Sequence, residues 1–502
     1  MAQVAMAGPN SYSAEAAAQV AALGGNAVDV ALGGIFAALV SEPGVASLGG
    51  GAFVTVAGPG TSAVTVDGSV AMPGTGLPPE AFGRMDPLYL EYGGGTQMDV
   101  GPGSVGTPGT LLALELAHRR FGRVPWAEVV GPAAELARTG FRVGQAAGNY
   151  LRYSGELLFG RDPVARAALT GEDGEPVRTG DRMWMPELGD FLDRVVKEGA
   201  AALHQGEVAR ALVAAMAETG GLITAADLAD YRAIVRPALP VRVGGWTWAT
   251  NPAPAVGGPV FAAMLHLLAD GPRPTLAELI DVQQAVLSQR IQRLDLAVDR
   301  TVAAEEFLAE IAAVGRVNGS PSTVHVSAVD AEGLACAVTA SAGYGAGVSA
   351  PGTGIWLNNC LGERELNRRG PHAPAPGERL VSNMTPTLGR HDDGRVLAIG
   401  SPGADRIATA VLQVVLGLLA GDDLTTAIER PRVHVSCDDE GRPSTLEYEA
   451  DLGPLPADLT LPAREHGARS MFFGGVAAAL RGADGRLEAA ADGRREGAVA
   501  VV

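Results

Sequence analysis

The sequence predicts a mixed α/β protein of the α+β type, and three stretches carry that prediction. Residues 13–40 read as two closely spaced helices, residues 140–235 as mainly helical, and residues 316–358 as short strand-like runs joined by glycine-containing turns. Ser13–Leu23 stops at Gly24-Gly25. Ala27–Val40 is almost wholly apolar, so it must be buried on most sides. Ser47–Ala57 is a glycine turn entering a strand, and Pro108–Phe121 is a further helix closed by Gly122. Leu188, Phe191, Leu192, Val195 and Val196 form one apolar stripe at helical spacing, and Thr224-Ala-Ala-Asp227 has the form of a capping box. All of these read as scaffold. The Ala/Pro/Gly-rich stretch 370–378 reads as a loop and not as a domain boundary.

Composition excludes several classes. The 502 residues are 47% hydrophobic, enough for a sizeable core and against global disorder. A net charge of −18 argues against nucleic acid or an anionic membrane surface as partner. Lys197, the single lysine, is followed by Glu198, so the Gly-Lys-Ser/Thr element of a phosphate-binding loop is absent. Gly343-Tyr-Gly-Ala-Gly347 sits in the hairpin region with no helix-opening pattern after it, a weak nucleotide signal, and no Gly-x-Ser-x-Gly elbow occurs. Cys336, Cys360 and Cys437 form no CxxC pair, which speaks against structural zinc, and an odd number gives no disulfide framework. No cofactor is expected. The start lacks a basic and apolar leader pattern, and no run of 18 apolar residues follows, so a cytoplasmic protein is expected.

The chemistry is sought at the change of character near residue 316. In Ser322-Thr-Val-His-Val-Ser-Ala-Val-Asp330, Thr323, His325 and Ser327 alternate with Val324, Val326 and Ala328, a half-buried strand. Ala331-Glu-Gly333 fits a three-residue hairpin loop with Gly333 left-handed, and Leu334–Ser341 is the returning strand. That loop pairs Asp330 with Leu334, and the ladder then sets Ser341 opposite Thr323. By pattern alone this is an ordinary hairpin with polar edge residues.

A resemblance adds to that reading. Gly24-Gly-Asn-Ala-Val-Asp29, Glu42–Phe53, Gly106-Thr-Pro-Gly-Thr110, Gly220–Tyr231, Gly257-Gly258, Leu357-Asn-Asn359, Met384-Thr-Pro-Thr387, Gly400–Arg406 and Gly485–Gly497 resemble the signatures of the γ-glutamyltranspeptidase family, in order, from residue 10 to residue 498. The resemblance implies a four-layer αββα sandwich of the N-terminal-nucleophile (Ntn) hydrolases, two sheets stacked between helices. It also implies a precursor cut between Ser322 and Thr323 into residues 1–322 and 323–502, which stay associated as one structural domain, with a small molecule as substrate. Thr323 is then the nucleophile, Ser341 matches a threonine that hydrogen-bonds it, and Gly403 and Ala404 match the two amides of the oxyanion hole. The chemistry is self-consistent. Cleavage frees an α-amine with an intrinsic pKa of about 7.7–8.0, a base for the hydroxyl on the same residue.

Substrate recognition departs from the family pattern. The arginine that pairs with a γ-glutamyl α-carboxylate falls on Ser69, in Val66-Asp-Gly-Ser-Val-Ala-Met-Pro73, a stretch with no arginine. Loss of a bidentate guanidinium–carboxylate contact points to a different substrate. The family's glutamine after Leu-Asn-Asn is Cys360, its paired serines are Ser382-Asn383, and its aspartate is Glu363, which keeps a negative charge for a cationic or amino-bearing group. Cys360 reads as a small apolar liner and not as a second nucleophile. The segment from Glu363 to Ser382 is shorter than the lid-bearing loop of many relatives. Intracellular relatives in antibiotic gene clusters, including those making 4-alkylproline precursors, are implicated in hydrolysing a C–C bond beside a keto acid. An acyltransferase or amidohydrolase with shifted specificity, a C–C hydrolase using the same threonine, and a non-catalytic binding protein on the same fold are therefore weighed together.

Overall fold

The computed structural model describes residues 3–78, 80–92, 95–269, 271, 273–311, 323–438 and 440–502. Residues 312–322, which include Ser322 and the start of the predicted strand-like stretch at 316–322, lie outside the described residues. Two antiparallel sheets form the centre. Their strands are β1 (Val4–Gly8), β2 (Gly51–Ala57), β3 (Val64–Gly68), β4 (Ile234–Pro237), β5 (Leu239–Val243), β6 (Trp246–Thr250), β7 (Val324–Asp330), β8 (Ala335–Ser341), β9 (Thr387–His391), β10 (Val396–Gly400), β11 (Ala477–Arg481), β12 (Leu487–Ala491) and β13 (Ala498–Val501). One sheet runs β13-β1-β7-β8-β2-β3-β4 and the other β12-β11-β10-β9-β6-β5. Each sheet draws strands from both sides of residue 322.

The sheets meet face to face through very small side chains. Ala5, Ala57, Val329, Ala335, Ala337, Leu388, Val396, Ala398 and Ala479 form the seam. Short residues let the sheets approach closely, and the alternation along β7 then separates two environments. Val324, Val326 and Ala328 face the helical side, in the same cluster as Val28, Leu32 and Phe36. His325 and Ser327 face the seam, where Ser327 Oγ donates to Ala477 O at 3.1 Å.

Helices cover both outer faces. On the first sheet lie α1 (Ser11–Ala22), α2 (Ala27–Ser41), α3 (Thr110–Phe121) and α4 (Trp126–Thr139), with α5 (Pro186–Glu198) against α4 and the short α6 (Ala225–Asp230) beyond. On the second lie α7 (Gly257–Leu268), α8 (Leu276–Arg290) and α9 (Arg406–Leu419). This is the αββα sandwich.

The predicted elements sit close to where the sequence puts them, with boundary corrections. The first helix begins at Ser11, earlier than Ser13, because Asn10 caps it by accepting the Ser13 amide at 3.0 Å. Gly24, at φ +86°, ends it. Every residue of α2 is buried. The third predicted helix begins at Thr110 and not at Pro108, and the stripe of α5 buries Leu188, Phe191, Leu192 and Val195 but only half-buries Val196. Thr224 and Asp227 form the predicted capping box. Gly333 is left-handed at φ +85°, Asp330 N–H donates to Leu334 O at 3.0 Å, and Val324 pairs with Ala340, the predicted register.

Candidate active site

Thr323 stands one residue before β7, at the head of the central hairpin, and is 1% exposed. The next rung beyond Val324–Ala340 faces it with Ser341, which also pairs with Gly51 of β2. Thr323 and Ser341 line one small cavity of about 30 Å³, together with Ser69, Cys360, Glu363, Ser382 and Asn383. That brings seven of the nine predicted catalytic and binding residues to one place. Gly403 and Ala404 are not among its lining.

The strand below Thr323 is held by a polar stack inside the seam. His325 Nδ1 meets Thr339 Oγ1 at 2.8 Å and its Nε2 meets Ser327 Oγ at 2.8 Å. Burial drives the imidazole down to about 3, so it is neutral and serves as a hydrogen-bonding spacer. Gly400 of β10 leaves room for the ring, since a Cβ there would collide with it.

The rest of the wall is a set of turns tied together by residues the family signatures contain. Asn358 Nδ2 donates to Gly49 O at 2.8 Å and Gly106 O at 2.9 Å, while its Oδ1 accepts from Gly106 N–H at 3.0 Å and Cys360 N–H at 3.1 Å. Asn359 Oδ1 accepts the Tyr344 amide at 2.7 Å. Gly257 lies under Asn383, where a Cβ would strike the Asn383 carbonyl, and Val256 N–H donates to Ser382 O at 2.9 Å. Tyr231 OH donates to Ser69 O at 2.6 Å. These positioning residues were visible in the sequence only as motif letters.

Ser69 does not face the cavity with a free hydroxyl. Its Oγ donates to Asp67 Oδ1 at 2.7 Å, and Asp67 accepts Arg236 Nε at 2.8 Å. No arginine, lysine or histidine lines the cavity among the described residues. Its one carboxyl, Glu363, is 3% exposed; burial and then nearby Glu365 push it well above the usual carboxylate range, against a hydrogen bond from Cys360. Burial and the same carboxyl also raise the Cys360 thiol well above its ordinary value. A protonated thiol beside an acid is a poor nucleophile, in keeping with the liner reading.

Gly403 and Ala404 form the turn from β10 into α9, at φ +122° and +73°. The turn is clamped: Ser401 Oγ accepts Gly475 N–H at 3.2 Å, and a Cβ on Gly403 would meet Gly474 Cα at 2.7 Å. Asp405 follows, lowered to about 2 against its burial by His434 and Arg406. His434 Nε2 lies 3.0 Å from its Oδ2, and Arg406 Nη1 2.7 Å from its Oδ1.

Two antiparallel sheets stacked between helices, with a buried hydroxyl at the head of a central strand, have the αββα architecture of the Ntn hydrolases. The family model described as Gamma-glutamyltranspeptidase matches residues 13–502. The chain is similar to the glutathione hydrolase proenzyme of Escherichia coli (strain K12), 27% identical over 432 residues, 78% of this chain and 73% of that one. It is also similar to the acylase ACY 1 proenzyme of Pseudomonas sp. (strain V22), 32% identical over 432 residues, 79% of this chain and 75% of that one. The solved cephalosporin acylase of Bacillus halodurans superposes with a TM-score of 0.80 at 21% identity, covering 99% and 96% of the two chains. The chain therefore belongs to the γ-glutamyltranspeptidase family and is an enzyme of its hydrolase and acylase group. Among the described residues no helix is long and apolar enough to cross a membrane.

Proposed function

We propose that the chain is an autoprocessing acyl hydrolase or acyltransferase whose nucleophile is Thr323 and whose substrate lacks the α-carboxylate of a γ-glutamyl group. The placement of Thr323 and Ser341 on the first rung of the central hairpin, in one cavity, carries this reading. In the precursor the Thr323 hydroxyl adds to the Ser322 carbonyl carbon. The C–N bond breaks as the C–O bond forms, giving an ester and the free α-amine. Water then opens the ester, leaving residues 1–322 with a carboxyl end and residues 323–502 with the amine. The proenzyme relatives support such a cut, and the interleaved strands of both fragments in each sheet support their staying together. A cavity of about 30 Å³ has room for one water and none for a substrate, which fits an unopened site.

In turnover the α-amine takes the hydroxyl proton as Oγ attacks the substrate carbonyl, then gives it to the leaving amine. The amides of Gly403 and Ala404 take the developing oxyanion, a contribution of about 2.7–4 kcal/mol per donor. Water or an acceptor amine releases the acyl group.

The wall of the cavity supports the shift of substrate. Among the described residues, a γ-glutamyl carboxylate placed there would meet no cation and a buried carboxyl, Glu363. The same absence favours a second reading, in which Thr323 attacks a ketone flanked by an electron-withdrawing group and a C–C bond is hydrolysed. Purified protein is expected to run as two bands on a denaturing gel, with Thr323 as the new N-terminus. Turnover of γ-glutamyl-p-nitroanilide is expected to be weak. Robust turnover overturns the substrate assignment, and an intact active chain overturns the nucleophile.

A further inference from the structure

A second cleft lies behind the wall of the nucleophile's cavity. Residues 69–72 and 377–380 run side by side, with Leu380 N–H donating to Val70 O at 2.9 Å and Met72 N–H to Glu378 O at 2.8 Å. Ser69, Val70 and Leu380 contribute to the Thr323 cavity, while Ala71, Met72, Glu378 and Arg379 line a separate cleft of about 660 Å³. That volume is in the range of small-molecule sites, about 300–1,000 Å³.

Four arginines reach this cleft: Arg232, Arg236, Arg300 and Arg379. Two are more than nine-tenths buried, Arg300 at 5% exposed and Arg379 at 7%. Arg379 stacks over Tyr231, 4.2 Å from the ring centroid, donates Nη1 to Ser69 O at 3.3 Å, and also donates to Arg232 O. Arg300 donates to Arg379 O and lies 3.4 Å from Glu378 Oε1. The Nε of each is buried without a hydrogen-bond partner among the described residues; that of Arg379 is 3.7 Å from Asp67 Oδ1, beyond hydrogen-bond reach.

Most of the carboxylates around them are engaged: Glu378 Oε1 with Arg300 itself and Asp67 with Arg236, while Asp230 stands exposed on the lining. Asp227 accepts the amides of Gly74, Thr75 and Thr224 at 2.8, 3.0 and 2.8 Å. Glu378 Oε2 accepts the Ala375 amide at 3.1 Å, and Asp299, exposed at the rim, caps Thr301 and Val302. Deep in the cleft the Nε groups of Arg300 and Arg379 therefore remain as donors without an acceptor among the described residues. A buried guanidinium edge left unsatisfied is costly, and an oxyanion is its natural complement. Met72, Ile234, Pro254 and Val298 give the rest of the surface an apolar character.

We propose that this cleft is a second small-molecule site, which takes a compound bearing a carboxylate or phosphate group on the guanidinium edges of Arg300 and Arg379. Its occupant shares Arg379 with the Ser69 carbonyl, and so touches the wall of the nucleophile's cavity without entering it. Isothermal titration of the purified full chain with inorganic phosphate, with glutarate and with neutral glutaramide separates the cases. One saturable site per chain is expected for phosphate or glutarate and none for glutaramide. The Thr323→Ala protein is expected to keep that binding. Arg379→Gln, and independently Ile234→Glu at the exposed mouth, are each expected to weaken it about tenfold or more by removing a donor or adding a like charge. Ile234→Glu decides the matter if Arg379→Gln fails to fold. Absence of saturable binding for both anions, binding unchanged in Ile234→Glu, or loss of binding in Thr323→Ala each overturns the proposal.

Discussion

The two sides of the cavity around Thr323 are built differently. On the nucleophile's side, residue position follows from a continuous ladder: a three-residue turn at 331–333 fixes the register, and seven strands hold it. On the facing side, the wall is assembled from separate segments at 49–51, 69–70, 358–366 and 380–384, joined by side-chain amides and one tyrosine hydroxyl. A ladder cannot shift one residue without turning every side chain over. A wall of turns can exchange a residue while its neighbours stay in place. On the proposed function the ladder holds the chemistry and the wall can change the substrate, and Ser69, Cys360, Ser382 and Asn383 all fall on the wall.

The largest effect is expected on the ladder. Thr323→Ala should stay a single chain on a denaturing gel and lose activity by about 10⁴-fold or more. Thr323→Ser should still split. With His325 held neutral down to about 3, the acid limb of kcat/KM should come from the new α-amine, with an apparent value near the amine's intrinsic 7.7–8.0 as shifted by its surroundings. A limb that vanishes in a catalytically active His325 variant would contradict this.

The second effect tests the polar stack beneath the nucleophile. His325→Ala leaves a void in the seam and strips partners from Thr339 Oγ1 and Ser327 Oγ. A loss of about 3–5 kcal/mol in denaturant-measured stability is expected, with slowed self-cleavage. An unchanged midpoint would mean the stack does not fix the strand.

The same contrast explains how much could be read in the sequence. The hairpin was legible because its information is local: an alternating run, a turn of allowed length and one left-handed glycine give the register, and the register sets Ser341 against Thr323. Helix α2 was legible because an almost wholly apolar stretch of that length has no exposed solution. The wall was legible only through family resemblance. Nothing local in Leu357-Asn-Asn359 says that Asn358 bridges Gly49 and Gly106, some 250–310 residues away along the chain. Nor does Tyr231 announce that it holds the Ser69 carbonyl. The unfilled guanidinium edges of Arg300 and Arg379 left no trace in the sequence at all, because burial and the competing use of nearby carboxylates are tertiary facts.

On the wall, Glu363 gives a pH test. Its pKa is raised in the folded chain from an ordinary value of about 4.5, so across that window the folded state holds a proton the unfolded state has released. Stability thus falls as pH rises from about 4.5 toward the raised value. Glu363→Gln removes the penalty. Its melting temperature should match wild type near pH 4 and exceed it near pH 8. A variant less stable than wild type at pH 8 would show that Glu363 is ionised and paired in the folded protein.

The smallest effect lies at the turn into α9, where two adjacent residues have left-handed φ for different reasons. Gly403 has to be glycine, because Gly474 Cα stands 2.7 Å from where its Cβ would be. Ala404, at φ +73°, already accommodates a buried Cβ and carries the intrinsic strain of an L-residue there, about 1–2 kcal/mol. Ala404→Gly relieves that strain but adds freedom to the unfolded chain, about 0.4–1 kcal/mol. The net gain should be small, up to about 1 kcal/mol in denaturant unfolding, with kcat within about twofold because the amide keeps its direction. Gly403→Ala, by contrast, must displace the Gly474 turn and should lose both stability and self-cleavage. If the two substitutions behave alike, steric contact does not distinguish the positions and the clamp at Gly474 is not what holds the turn.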